Sequence, residues 1–547
     1  MMLAGNKTPA LRRLWGCAIG GSLVLFAAPI LAIWFAWLPG LTHQFNYFIT
    51  HDLLSDYALH SFMIAAFTVA FTCIMAVPAA WYMTMYHLPM RAWLDWAMVL
   101  PLAMPSYIAA MVYGHLLEGA GPVQYALREY FQRDYGDYPF PEIRSVGGVI
   151  FVLSITLYPY VYMLARGAFL MQSQQMLETA SMLGCTRLQL FTRLAFPMAR
   201  PAIVAGAALV MMESLADFGV ASLYGIPVLT TGIYRAWLGF YDPVAAGRMA
   251  TLLCAVILMA LWVEKWQRGR AAFHNPTALY HPMQRWQLAA YGQCWLMMGH
   301  CSLLVLLGFA LPLLCLLYWS IPNIAHIFQP AALSAMGMSM LIAGITACCT
   351  LLTGLLGAYH IRSASNRVIH YAISLSTLGY ALPGSVIAVG VLLVILAIER
   401  WSGAGLFLSA TLCGIIWGCA LRFTTISFQS LQSGLSRITP MMDEVAMMLG
   451  AGRLQRLRRV HMPLLSASAI TACLLVFIET VKELPATLLL RPFDVSTLSI
   501  RVFELAKDEM LPFAAPVALL LVLVSVVPVM LLHKRFAASR PNGDAHA

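Results

Sequence analysis

In this 547-residue chain, 61% of residues are hydrophobic and only 10% are charged. A soluble domain carries about 25% charged residues, so this chain cannot clothe a water-facing surface and lipid is its expected solvent. Twelve cysteines stand singly apart from Cys348–Cys349, form no CxxC pair and mostly lie in apolar runs. They read as small packing residues, not as a disulfide framework or a metal site.

From the N-terminus, Lys7, Arg12 and Arg13 precede an apolar run of about 22 residues. That run exceeds a signal-peptide core and no A-x-A site follows it, so it reads as an uncleaved first span. Apolar stretches long enough to cross a bilayer then recur. Those predicted before residue 265 cover 17–38, 59–85, 93–117, 147–165, 199–222 and 245–264. Those predicted after residue 291 cover 293–318, 336–360, 369–398, 404–426, 464–485 and 511–532. The expected fold is an all-α polytopic membrane protein of about 12 helices. With the N-terminus inside, most of the 33 Lys and Arg fall on the inner side and most of the 23 Asp and Glu elsewhere. This is the positive-inside asymmetry, so the net charge of +10 reflects topology and calls for no nucleic acid. Both termini are expected in the cytoplasm.

The sequence repeats internally. Residues 177–197, LETASMLGCTRLQLFTRLAFP, align without a gap to 443–463, DEVAMMLGAGRLQRLRRVHMP, at an offset of 266. The same offset pairs Glu213 with Glu479, Asp217 with Glu483, Thr231 with Thr497 and Arg235 with Arg501. Upstream, LAMPSYI at 102–108 is similar to YALPGSV at 380–386, and the extra residues fall in the polar loop near 118–146. Six spans separate the copies, so both face one side and the duplication is parallel. The expected organisation is an N-terminal half, 1–264, a cytoplasmic linker, 265–291, with Lys265, Arg268, Arg270 and Arg285, and a C-terminal half, 292–547.

The repeated segment carries E-x-A, three residues, Gly, nine residues, then a closing apolar-x-x-Pro. In 178–197 these are Glu178, Ala180, Gly184, Arg187 within the spacer, and Pro197. In 444–463 they are Glu444, Ala446, Gly450, Arg453 and Pro463. The spacing suits two short helices with a glycine permitting a sharp turn between them. Each proline sits just ahead of an apolar span, where a helix start tolerates it. A surface helix of this kind can lie in a groove of a partner protein or in the lipid interface.

These two segments resemble the EAA loops of ABC-importer permeases, with Thr179 and Val445 where the motif has its first Ala. The resemblance implies a type I importer (MetI-like) permease fold in two parallel six-helix repeats in a bacterial inner membrane. It also implies that both loops dock two copies of a cytoplasmic ABC ATPase, and that a periplasmic substrate-binding protein delivers the cargo. All five lysines follow residues other than Gly, so no phosphate-binding G-x-x-x-x-G-K-[ST] loop exists. The chain is therefore expected to be no enzyme and to bind no cofactor covalently, with ATP used by the partner subunit.

The fused layout is most similar to ferric-iron permeases, especially along ESLADFGVASLYGIPVLTTGIYRAWLGFYDPVAA from 213 and ETVKELPATLLLRPFDVSTLSIRVFELAKDE from 479. Thiamine and phosphonate permeases are the alternatives within this class. A proton-coupled secondary transporter is the alternative outside it. The acids carry their own argument: an ionisable group within a span costs about 2.5–3.5 kcal/mol on insertion scales and so faces protein or a wet cavity. Glu213 and Asp217, like Glu479 and Glu483, are four apart and are expected to share a helical face. All four are candidates for a translocation path near the periplasmic mouth, since carboxylate oxygens suit a hard cation. Structural ion pairing is the competing reading, with Lys482, Arg235 or Arg501 as partners. Tyr224, Tyr234 and Tyr241 are further oxygen donors on the same side, or interfacial belt residues.

Overall fold

A computed structural model describes residues 9–38, 43–50, 53–134, 136–172, 174–268, 286, 291–363, 377–403 and 411–538. Among them the secondary structure is helical apart from one isolated bridge, Tyr86 to Trp286. Among the described residues, eight helices are long and apolar enough to cross a membrane. They are α2 (Leu53–Met85), α5 (Val146–Leu170), α7 (Arg187–Ala216), α9 (Pro243–Arg268), α10 (Gly292–Ser320), α11 (Pro330–Ser363), α12 (Gly384–Ser402) and α15 (Leu457–Lys482). The other helices used below are α1 (Pro9–Phe35), α3 (Ser106–Leu117), α4 (Pro122–Phe131), α6 (Gln174–Met182), α8 (Gly219–Leu223), α13 (Cys413–Ser436), α14 (Pro440–Met448), α16 (Pro485–Leu490), α17 (Leu498–Lys507) and α18 (Leu511–Ala538).

Two bundles organise the chain. Ahead of residue 265, α2, α5 and α7 pack on one another; beyond residue 291, α11, α13 and α15 do the same. The flanking helices cross over. Helices α1 and α9 cover α12, while α10 packs on α3 and α18 on the turn at Leu100–Ala103. Close approach is obtained with small residues, as in other membrane helix pairs. A Cβ on Gly390 would strike the Pro29 carbonyl of α1, and one on Gly206 would strike Val161 of α5. Helices α5 and α12 are the inner members, with 72% and 61% of their apolar windows buried, against 33% for α7, α11 and α15. The outer faces carry bare apolar side chains, such as Phe62, Phe67, Phe71 and Ile74 on α2. In water such a surface would aggregate, and in lipid it is already solvated.

Three expectations need correction. The span expected at 93–117 is not one helix: Arg91–Ala103 and Ser106–Phe131 meet at 91°. Met104 is extended and Pro105 opens the second arm. A residue ahead of proline is pushed out of the helical region, and proline supplies no N–H to continue the ladder. The repeat shows the same device, with a 3-10 turn at Thr377–Ala381 and α12 starting after Pro383. That start also shortens the span expected at 369–398, part of which lies outside the described residues. The span expected at 404–426 likewise begins outside them, and its helix α13 runs ten residues further, to Ser436. Of the linker 265–291, most of the sequence, including Arg270 and Arg285, is outside the described residues.

The second correction concerns Pro197 and Pro463. No separate short helix precedes the span; α7 and α15 begin within the repeated segment and run on through a widened π turn, at Leu190–Ala195 and Leu457–His461. A third such turn, Leu306–Ala310, precedes Pro312. In all three the proline stands two residues beyond the wide turn. A proline ring collides with the carbonyl one turn back, and a locally widened helix relieves that collision.

The third correction concerns the acid pairs, which do not share a helical face. Helix α7 stops at Ala216 and α15 at Lys482, leaving Asp217 (ψ 130) and Glu483 (ψ 119) extended. Each then receives the N–H groups of the short helix that follows, α8 or α16.

Candidate functional site

The two repeated segments build similar surface elements. Helix α6 is followed by Gly184 at φ +86 and α14 by Gly450 at φ +76. That left-handed conformation costs a residue with a Cβ about 1–2 kcal/mol. The turns close alike: the N–H of Cys185 reaches the Ala180 carbonyl, and that of Ala451 reaches Ala446. Thr186 then caps α7 through a capping box with Gln189. Glu178, Gly184, Arg187, Pro197, Glu444, Gly450 and Pro463 are exposed, Ala180 is half-buried and Ala446 is buried. In the second copy Arg453 opens a helical turn, Arg453–Arg456, that runs directly into α15. Around the glycines stand bare apolar side chains: Met182, Leu183 and Leu188 in the first copy, Met448 and Leu449 in the second. Met182, Leu183, Met448 and Leu449 lie outside the long apolar helices, and Leu188 stands in the first turn of α7.

The mounts of the two surface helices differ. Where α6 rests on the bilayer helices, the contacts are apolar, through buried Leu177, Leu190 and Ala195. At the offset of 266 the same three positions are Asp443, Arg456 and His461. Asp443 accepts from Arg362 of α11 at 2.7 and 3.0 Å, lies 2.7 Å from His461 and 3.8 Å from Arg456. Burial alone would raise the Asp443 carboxyl. The hydrogen bonds from Arg362 and His461 and the charges behind them outweigh burial and hold it below the usual aspartate range. Arg187 is treated differently again, lying 5.7 Å over the Trp286 ring and 5.8 Å over Tyr86.

The intramembrane acids gather with two cations. Arg422 of α13, with its side chain 10% exposed, donates to Glu483 and stands 3.8 Å from Glu213. Lys482 lies 3.1 Å from Glu479 and donates to the Leu102 carbonyl at 3.1 Å. The Tyr160 and Tyr380 hydroxyls meet beside Glu213 and Glu479. Gly384 is required here, because its missing side chain leaves the space that Glu483 and Arg422 occupy. Glu213, Glu479 and Glu483 thus come together. Asp217 does not join them: it accepts from Ser106 at 2.9 Å and from the backbone N–H groups of Val220 and Ala221, which makes it the N-terminal cap of α8.

Among the described residues the ion pairs of these acids run to Arg422 and Lys482, not to Arg235 or Arg501. Arg235 lies over Phe240 and within 3.3 Å of the Tyr57 hydroxyl. The partner that sequence reading missed is Arg422. Its one visible signal was a lone arginine within an apolar run, at the position where the repeat has Thr156. Among the tyrosines, Tyr224 is buried and donates to the Ala110 carbonyl; Tyr234 stacks on Phe218; Tyr241 is exposed in a left-handed turn. No three His, Cys, Asp or Glu side chains among the described residues are placed to hold a metal ion.

Residues 76–268 match the family described as binding-protein-dependent transport system inner membrane component. The Fe(3+)-transport system permease protein FbpB 2 of Haemophilus influenzae is 26% identical over 451 residues, 81% of this chain and 83% of that protein. The ferric transport system permease protein FbpB of Actinobacillus pleuropneumoniae is 22% identical over 75% of this chain and 61% of its own length. The sulfate transport system permease protein CysT of Salmonella typhimurium is 25% identical, over 37% of this chain and 72% of that protein.

Proposed function

We propose that the chain is an inner-membrane component of a binding-protein-dependent transport system, the family that residues 76–268 match, and that it translocates iron(III) for an ATP-driven importer. It is a multi-pass ABC-importer permease. Its two halves, 1–264 and 292–547, form the path, and the loops 178–197 and 444–463 transmit the movements of two ATPase subunits that hydrolyse the ATP. A periplasmic binding protein supplies the cargo. The observation that carries the substrate reading is the convergence of half-buried Glu213 and Glu479 with buried Glu483, carboxylates drawn from both halves. Carboxylate oxygens are hard ligands that favour small, highly charged cations and repel sulfate or a phosphonate. Ferric permeases are similar to it across both halves, whereas sulfate and 2-aminoethylphosphonate permeases match only 37% and 40% of the chain.

For coupling, the bare Met182, Leu183, Met448 and Leu449 supply apolar area that a groove on a partner can bury. About 25 cal/mol is gained per Å² so buried. The deciding experiment expresses the permease with its ATPase and binding protein in cells lacking their own iron importer. Uptake of radiolabelled iron, sulfate, thiamine and aminoethylphosphonate is then compared. Iron accumulation that ceases on removing the ATPase supports the reading. Accumulation of another of these substrates with no iron uptake overturns it.

A further inference from the structure

The buried charges lie on the seam between the halves, and their distribution is lopsided. The half ending at 264 contributes Glu213, the Leu102 carbonyl and Tyr160; the half after 291 contributes Arg422, Lys482, Glu479, Glu483 and Tyr380. Both cations come from one side. At the offset of 266, Arg422 replaces Thr156 and Lys482 replaces Ala216. The contacts that Arg422 and Lys482 make across the seam, to Glu213 and to Leu102, therefore have no counterpart running the other way.

A path between the halves cannot open here while Arg422 holds Glu213. On separation Arg422 keeps Glu483, which belongs to its own half, but Glu213 loses its nearest cation. A carboxylate left alone in such a place is strongly disfavoured, so the closed arrangement is the stable one until another cation reaches Glu213. Arg422 is already under-satisfied, since its buried Nε has no hydrogen-bond partner among the described residues. Glu213 and Glu483 close around a guanidinium, and Glu479 around the Lys482 ammonium, not around an open ligand site.

We propose that Arg422 is a tethered stand-in for the cargo: an electrostatic latch that keeps the path shut by pairing with Glu213 and yields that carboxylate to the transported cation. Opening is thereby tied to the presence of a cation, and the seam stays sealed to ions when none is delivered. Arg422 acts through Glu213 and the closure of the halves, so it is a positioning residue. This inference rests on the reading of the chain as a cation permease.

The test reconstitutes the full-length permease in liposomes loaded with dipicolinate and follows terbium(III) influx by luminescence, terbium serving as a trivalent probe. The wild-type protein and Arg422→Lys are expected to remain tight. Arg422→Gln is expected to admit terbium about tenfold faster, within the range by which focused charge alters cation rates. Adding Glu213→Gln to Arg422→Gln, which removes the carboxylate the probe would occupy, is expected to bring influx back towards wild type. A folded Arg422→Gln protein as tight as wild type overturns the latch, as does an equal leak in the single and double variants, which would mark a packing defect. Should Arg422→Gln fail to assemble, Arg422→Met, uncharged and of similar reach, takes its place with the same expected and overturning outcomes. Cellular iron uptake is scored separately: a leak without iron uptake removes only the substrate reading, and iron uptake without a leak removes only the latch.

Discussion

The Nε2 of His461 lies 2.7 Å from a carboxylate oxygen of Asp443, tying helix α14 to the wide first turn of α15. Asp443 is hydrogen-bonded to an arginine at the end of α11 and to this histidine, with Arg456 3.8 Å away, so one carboxylate joins three elements. Charge-assisted hydrogen bonds contribute about 1.5–3 kcal/mol each. Asp443→Ala should therefore loosen α14 and lower the melting temperature of the detergent-solubilised protein by several degrees. Leu177→Ala, at the matching place under α6, should do so through lost apolar packing and should respond less to salt. Melting curves at low and high ionic strength distinguish the two mounts, and the same salt response in both would remove the asymmetry.

The Asp443 carboxyl also sets a pH dependence. Its acidity is strengthened in the folded protein, so its contribution is fully present above the unfolded value of about 3.9. That contribution is lost as the pH falls through the still lower folded value. Wild-type stability should thus decline below about pH 4 partly through this group. In Asp443→Asn that portion of the decline should be missing. An unchanged acid limb in the asparagine variant would contradict the assignment.

At Gly184 and Gly450 the backbone is left-handed with open space around each Cα. The demand is on φ and not on volume. An alanine should cost about 1–2 kcal/mol, whereas proline, fixed near φ −65°, should abolish the turn. Gly184→Pro and Gly450→Pro are expected to insert at normal abundance and to lose ATP-driven uptake. Membrane abundance and transport are measured on the same samples, and normal uptake in both variants would show that the turns do not transmit coupling.

The bare side chains beside these turns give a complementary prediction. Met182, Leu183, Met448 and Leu449 are each at least 80% exposed. Replacing them by serine should leave the permease's own melting temperature within about 1 °C, because exposed sites change stability by less than about 0.5 kcal/mol. Co-purification of the ATPase should fall by an order of magnitude or more, as for loss of buried anchors at an interface. Retention of the ATPase at wild-type levels would disprove docking through these residues.

Much of this architecture was legible, because hydropathy and a repeat at constant offset are local or periodic signals. Glycine at 184 and 450 announced a turn whatever the rest of the chain did. What stayed hidden depends on contacts between distant segments. Pro105 and Pro383 fall inside spans read as continuous, and the 91° bend after Ala103 required knowing which way the next arm packs. Arg422 sat near the end of a span expected to stop at 426. The extension of α13 to Ser436 carries the helix well past it, and there it faces an acid 209 positions earlier in the chain. Spacing of four between Glu213 and Asp217 suggested a common face, yet a helix end intervenes, and no periodicity rule reports which residue will serve as a cap.

That distinction between Glu213 and Asp217 yields the sharpest separation of transport from assembly. Asp217 receives the Ser106 hydroxyl and the first N–H groups of α8, so Asp217→Ala removes a cap, at about 0.5–2 kcal/mol. It also leaves Ser106 without its acceptor. The expected result is less folded permease with normal uptake per molecule. Glu213 caps nothing and meets Arg422 only at 3.8 Å, so Glu213→Gln should preserve abundance while uptake per molecule falls. The Glu483→Gln variant should show both effects, because Glu483 accepts from Arg422 and from the Ala486 N–H. Quantitative immunoblots of membranes alongside initial iron-uptake rates test all three. Reversal of the first two outcomes would move the transport role from Glu213 to Asp217, and three variants with normal uptake per molecule would remove these acids from the path.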